Sequence, residues 1–221
     1  MITRISVVVF LFLAAASLAL AQTDNAITPS HRIELFDGKS LAGWSFTSKD
    51  TNANPAAIWS ATNGVIACEG NPYGYARTLA AYRDYQLHVE WRWPLVLTNK
   101  TPNSGVFLHV TGPDKVWPMC LEAQLAAGRA GDIRFNGGSK LAGKPADFKA
   151  APRLADSSEK TPGEWNVYDI VCLGSNVTIH VNGVLQNDIT GPSVTSGSIA
   201  LQAEGAPVEF RNLWVEPVKK P

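Results

Sequence analysis

Apolar and polar residues alternate over many short stretches of the chain, most cleanly in Y-Q-L-H-V-E-W-R-W at 85–93. Tyr85, Leu87, Val89, Trp91 and Trp93 hold the odd positions; Gln86, His88, Glu90 and Arg92 hold the even ones. A strand sends successive side chains to opposite faces, so this period of two predicts a strand with one apolar and one polar face. The pattern recurs at 104–110, where Val106, Leu108 and Val110 share one phase and Phe107 and His109 the other. At 119–126, Leu121, Ala123 and Leu125 alternate with Cys120, Glu122 and Gln124. At 198–203, Ile199 and Leu201 alternate with Ala200 and Gln202, and Glu204 continues the polar phase.

Turn residues separate these runs. A short run at 33–36 leads into Asp37-Gly38. Asn63-Gly64, between 57–61 and 65–69, and Asn182-Gly183, between 177–181 and 184–188, carry the composition of two-residue hairpin turns. Further strand-like runs lie at 168–172 and 208–215. No segment keeps a helical period over ordinary length. The stretch 137–162, with Pro145, Pro152 and Pro162, reads as an ordered excursion over one edge, long enough to carry function. Roughly a dozen short strands without crossover helices predict an all-β fold, a two-sheet antiparallel sandwich.

The N-terminus has a different pattern. Arg4 precedes an unbroken run of apolar or small residues from Ile5 to Leu20, and Ala19-Leu20-Ala21 has the form of an A-x-A cleavage site. Residues 1–21 are therefore predicted to be a signal peptide, followed by a flexible lead-in at 22–32 and a single domain at 33–218. An exported protein, periplasmic or extracellular, is the expectation. No later run is long and apolar enough to span a bilayer.

Loss of the leader takes away Arg4 and leaves 18 basic against 19 acidic side chains, a balance that offers no footing for nucleic acid or an anionic membrane. Cys68, Cys120 and Cys172 each sit in a strand-like run, where a small buried apolar residue is the simplest role. No C-x-x-C or H-E-x-x-H points to zinc, and no acidic loop has clear calcium spacing, so neither metal nor cofactor is expected.

The polar phases are the candidate chemistry. A merely solvated sheet carries mostly Lys, Thr, Ser and Glu, yet these positions hold His88, Glu90, Arg92, His109, Glu122, Gln124 and Gln202. Such groups fork, titrate or hydrogen-bond in two directions, which suits polyhydroxylated ligands. Asn103-Ser104-Gly105 and the turn ending at Asp132 add polar groups at strand ends. Shared phase predicts that Arg92, His109, Glu122, Gln124 and Gln202 converge on one concavity. The E-x-D-x-x-E strand motif of two-carboxylate glucanases is missing: the nearest match is Glu122-Ala123-Gln124, and no Glu lies three residues further on.

Seven stretches in order then resemble a known family: L-F-D-G-K-S-L-A-G-W (35–44), W-S-A-T-N-G-V-I-A-C-E-G (59–70), the stretch 85–93 with E-W-R, N-S-G-V-F-L-H-V (103–110), L-E-A-Q-L-A-A-G-R-A-G-D-I (121–133), P-G-E-W-N-V-Y-D-I (162–170) and I-A-L-Q-A-E-G-A-P-V-E-F-R-N-L-W-V (199–215). The chain resembles the 3-keto-disaccharide hydrolase family across about residues 33–218. That resemblance implies a concanavalin A-like jelly roll acting on 3-keto-glycosides. A ketone at C3 acidifies the C2 proton, so one base, one cationic or donor group at the C3 oxygen and one acid for the leaving group suffice.

On this reading Glu122 or His109 serves as base, with Glu122 preferred, and Arg92 stabilises the enolate. Asn103, Ser104, Gln124, Asp132, Gln202, Glu90 and His88 are the candidate substrate-binding groups. One departure stands out: many relatives carry a His after the L-Q pair, where this chain has Ala203-Glu204. The rival readings are a non-catalytic carbohydrate-binding module and an interaction domain of a surface assembly.

Overall fold

The computed structural model describes residues 25–95 and 101–219; the expected signal peptide lies outside them. In chain order the strands begin with β1 (Ile33–Glu34), β2 (Trp44–Ser48), β3 (Trp59–Thr62), β4 (Val65–Cys68) and β5 (Gly74–Tyr82). They continue with β6 (Tyr85–Arg92), β7 (Gly105–Thr111), β8 (Met119–Gln124), β9 (Ile133–Asn136) and β10 (Ala150–Ala151). The last five are β11 (Asn166–Leu173), β12 (Asn176–Val181), β13 (Val184–Thr190), β14 (Gly197–Ala203) and β15 (Val208–Pro217). Among the described residues, the sole helical piece is a 3₁₀ turn at Pro55–Ala57, capped by the Asn54 side chain.

These strands form two antiparallel sheets. One runs β13-β12-β11-β6-β15-β4-β3, with β1 added on β15; the other runs β10-β9-β8-β7-β14-β5-β2. Neighbours distant in sequence, such as β6 beside β15 and β7 beside β14, give the jelly-roll connectivity. Both Asn-Gly pairs turn as their composition predicts, with positive φ at Asn63, Gly64, Asn182 and Gly183.

The core lies between the sheets. From β6, Tyr85, Leu87, Val89 and Trp91 are fully buried, while Gln86, His88, Glu90 and Arg92 remain partly exposed on the outer side. From β8, Leu121 and Ala123 enter the same core, and Val106 and Leu108 join them from β7. Burial of such a layer is the main favourable term in folding. Cys68, Cys120 and Cys172 are all free and buried.

Two expectations are corrected here. First, β6 belongs to the eight-stranded sheet, whereas β7, β8 and β14 belong to the other. Their polar phases therefore face outward from opposite sides of the sandwich and do not converge. Alternation reveals which face of a strand is polar but not which sheet the strand joins. Second, β7 is bulged after Leu108, and His109 has φ of +58°. The extra residue resets the phase: Val110 joins Phe107 on the outside, and His109 turns inward beside Tyr85, with ring centroids 5.6 Å apart.

The long excursion after β9 is ordered, and Ala150–Ala151 within it pairs with β9 as the final strand of its sheet. The lead-in, expected to be mobile, is tied down at Ile27, whose N–H donates to the Ala81 carbonyl and whose carbonyl accepts from the Arg83 N–H.

Candidate active site

On the outer face of the seven-stranded sheet, register aligns one row of side chains. Arg77 stands opposite Ala200, Ala200 opposite Phe107, Phe107 opposite Glu122, and Glu122 opposite Arg134. A cleft of about 300 Å³ lies over the β8–β9 part of this face. Glu122, Gln124, Arg134 and Asn136 line it from the strands, and Asn103, Trp117, Arg129 and Glu204 line it from the adjoining loops.

Glu122 is 2% exposed. Its Oε2 accepts a hydrogen bond from Asn136 Nδ2 at 2.6 Å, whereas Oε1 is buried without a partner. Burial pushes its pKa up to about 7; the Asn136 bond and the Arg134 charge oppose that shift, and the charge of Glu204 adds to it. An acid poised near neutrality, with one oxygen unsatisfied, is suited to taking or giving a proton. Gly105 makes the room: a Cβ there would meet Glu122 Oε1 at 2.8 Å and Gln202 Oε1 at 3.0 Å.

Glu204 is the second carboxylate. It sits just beyond β14, with its pKa raised by burial against hydrogen bonds from Gln202 and Asn103 and the charge of Arg134. The amide oxygens of Gln202 and Asn103 are themselves buried and unpartnered. Gln124 is held differently: its Oε1 accepts from the backbone N–H of Leu125 and Ala126, at 2.9 and 2.8 Å. It thus caps the turn after β8 while lining the cleft.

The loop between β7 and β8 folds back over the outer face and closes one end. Asp114 accepts from Arg77 Nε and Nη2 at 3.1 and 3.2 Å and from the Tyr75 hydroxyl at 3.0 Å. Beneath it Tyr75, Phe107, Val110, Cys120 and Ala200 form a small apolar cluster. Trp117, on the same loop, is held edge-on by Tyr73, the two rings being 89° apart.

The remaining sequence-predicted residues lie elsewhere. Arg92 bonds Glu209 at 2.5 Å and stacks over Trp165, on the outer face of the eight-stranded sheet. Glu90 accepts from Arg211 and Asn212 on that face, and His88 bonds Asp169 while stacking on Trp214. His109 Nδ1 meets the Val194 carbonyl at 3.2 Å, and burial, partly offset by that bond, drives its pKa down to about 4. It is a neutral ring in the interior, outside the cleft. Ser104 is buried and donates to the Gln202 carbonyl, clamping β7 to β14. Asp132 is also buried, accepting from Arg129 and from the Arg153 backbone N–H.

The structure thus brings together Glu122, Gln124, Gln202 and Asn103, and supplies Glu204, Arg134, Asn136 and Trp117, none of which the polar-phase argument had placed in the site. Arg134 and Asn136 had a readable signal in the alternation of Ile133-Arg134-Phe135-Asn136. Glu204 comes after Gln202 at a spacing of two, the same-face spacing. Trp117 had no signal beyond being one of seven tryptophans.

A family model described as a 3-keto-alpha-glucoside-1,2-lyase-like domain matches residues 31–216. A crystal structure from Parabacteroides distasonis, provisionally described as a glycosyl hydrolase, shares 24% identity with a TM-score of 0.60, covering 85% of this chain and 99% of its own. The β-glucanase of Bacillus licheniformis shares 16% identity with a TM-score of 0.56, over 84% and 97% of the two chains. A carbohydrate-binding module of Bacillus subtilis shares 12% with a TM-score of 0.54, over 77% and 93%. At these identities the likeness is one of fold. No curated protein matches the chain.

Proposed function

The chain belongs to the 3-keto-alpha-glucoside-1,2-lyase-like family, and from that membership and the geometry of the cleft we propose that it cleaves 3-keto-glycosides by proton abstraction and elimination. The observation that carries the reading is Glu122: a buried carboxylate with its Oε1 unsatisfied, a pKa near neutrality and a cation opposite it on the next strand.

In this reaction Glu122 takes the proton from C2 of the oxidised ring. The C–H electron pair moves toward the C3 carbonyl, giving an enolate whose charge Arg134 opposes. The C1–O bond then breaks, C1=C2 forms, and the leaving oxygen takes a proton from Glu204. Water adding at C1, with C2 taking a proton, gives net hydrolysis. No nucleophile is required, so the missing glucanase motif is no obstacle. Gln202, Asn103 and Gln124 supply amide groups for sugar hydroxyls.

Export directed by the expected leader at 1–21 would place this activity in the periplasm or outside the cell. The test is incubation with a 3-keto-glucoside carrying a chromogenic leaving group, beside the unoxidised glucoside. Release from the keto compound alone, reduced about a hundredfold or more in Glu122→Gln with folding intact, supports the reading. Binding without release from either compound overturns it in favour of a carbohydrate-binding module.

A further inference from the structure

Side chains on the outer face of a sheet stay wet unless something lies over them. On the seven-stranded sheet Tyr75, Phe107, Cys120 and Ala200 point outward and are nonetheless fully buried, and Glu122 on the same face is 2% exposed. Their cover comes from loops laid across the face and not from the sandwich interior. One such loop is 112–118, which joins β7 to β8 and carries Trp117 to the cleft.

Three contacts fix this loop. Near its start, Asp114 takes both Arg77 Nε and Nη2 and the Tyr75 hydroxyl, all within 3.2 Å. Burial holds that hydroxyl up at about 12, so it keeps its proton and stays a donor. Further on, Trp117 lies edge-on to Tyr73, and Val116 and Trp117 share with Gln202, Ala203 and Glu204 a crevice too narrow for water. At the far end, Gly137 lets β9 approach closely: a Cβ there would collide with the Pro118 carbonyl and the Met119 nitrogen. Pro113 and Pro118 restrict the backbone between these points. Packing makes the last two contacts. The first alone is charged and directional, and Asp114 itself is outside the cleft lining.

We infer, on the reading of Glu122 as base, that Asp114 is a positioning residue: by holding the loop down on Arg77 and Tyr75 it keeps Trp117 beside Glu204 and keeps water from the Glu122 carboxylate. The consequence for Glu122 is specific. Burial is the largest cause of its raised pKa, helped by the charge of Glu204 and opposed by Asn136 and Arg134 on β9. A loop released from Asp114 admits water and leaves those three groups in place, so the carboxyl falls toward its ordinary value. Glu122 is then ionised at lower pH but is a weaker base, and proton abstraction slows. Loss of an ion pair that serves stability alone has neither effect.

Asp114→Ala, Asp114→Asn and Tyr75→Phe are compared with the wild type by two readouts. The first is the carbon-13 signal of the Glu122 carboxyl against pH, in protein labelled at glutamate, the signal being identified by its loss in Glu122→Gln. The second is kcat and KM on a 3-keto-glucoside over the same pH range. In Asp114→Ala the titration of Glu122 should move down from about 7 toward the ordinary carboxylate range, with kcat about tenfold lower. Asp114→Asn keeps an acceptor and Tyr75→Phe keeps the ring, so both should shift less in the same direction. A Glu122 titration unmoved in the folded variants overturns the role of Asp114. So does an equal movement in Arg92→Ala, which breaks a pair on the far face. The expected shift in a protein that leaves the keto compound intact keeps the loop's hold on the cleft and rejects the elimination chemistry alone.

Discussion

Gly105 lies directly beneath the carboxylate of Glu122, where a Cβ would come within 2.8 Å of both Cγ and Oε1. The backbone at Gly105 is not among the positive-φ positions, so the need for glycine is one of space and not of conformation. Gly105→Ala should therefore displace Glu122 and Gln202 with little backbone strain. We expect kcat on a 3-keto substrate to fall about ten- to a hundredfold, at a stability cost of about 1–3 kcal/mol. Steady-state kinetics beside a denaturant titration will separate the two effects. A variant with normal kcat would remove Glu122 from the chemistry.

Activity should track the ionisation of Glu122. A base works in its deprotonated form, and burial has pushed this carboxyl up to about pH 7. With abstraction of the C2 proton as the step that sets kcat/KM, the wild type's kcat/KM should rise with pH and level off above about 7, instead of near the ordinary carboxylate value. A limb centred below pH 5 would mean that the titrating base is a more exposed group.

Stability should carry two opposed pH slopes. Glu122 keeps its proton to about pH 7 when folded and releases it near 4.5 when unfolded, so across that interval stability falls as pH rises. His109 behaves in reverse: unfolded it binds a proton below 6.5, folded only near 4, so across that interval stability rises with pH. Each effect is on the order of 3 kcal/mol at full extent. In the wild type they offset between about pH 4.5 and 6.5. Glu122→Gln should unmask the rise, and His109→Asn, which tolerates the positive φ, should unmask the fall. Thermal melts at pH 4.5, 5.5 and 6.5 will show it; parallel curves for all three proteins would contradict the assignment.

The two arginines should separate by function. Arg134 faces the cleft, and Arg134→Ala should lower kcat by about a hundredfold with modest change in KM. Arg92 pairs with Glu209 and Trp165 on the far face, so Arg92→Ala should leave kcat within about twofold and cost about 1 kcal/mol of stability. Equal losses of activity in both variants would be incompatible with this geometry.

Much of the fold was legible because a half-buried strand writes its own alternation, as Tyr85–Trp93 and Leu121–Leu125 do. Glu122, Gln124 and Gln202 were legible for the same reason. The placement of Arg92 was not, since the phase of a strand is local and its membership of a sheet depends on pairing between distant segments. His109 was misplaced by one inserted residue, which leaves no mark in composition but reverses the facing of the rest of the strand. Glu204 continues the polar phase of β14 one residue past its end, whereas Trp117 lies in a loop, where no period marks a residue.

The two-residue strand Ala150–Ala151 has an effect out of proportion to its length. It occupies the free edge of β9, the strand that carries Arg134 and Asn136. An uncovered edge offers a ladder of unpaired N–H and C=O groups on which another chain can grow. Here that template is taken up by the protein's own excursion, too short in turn to recruit a neighbour. The polar floor of the cleft is thereby kept for small ligands, and intermolecular sheet growth is blocked beside it.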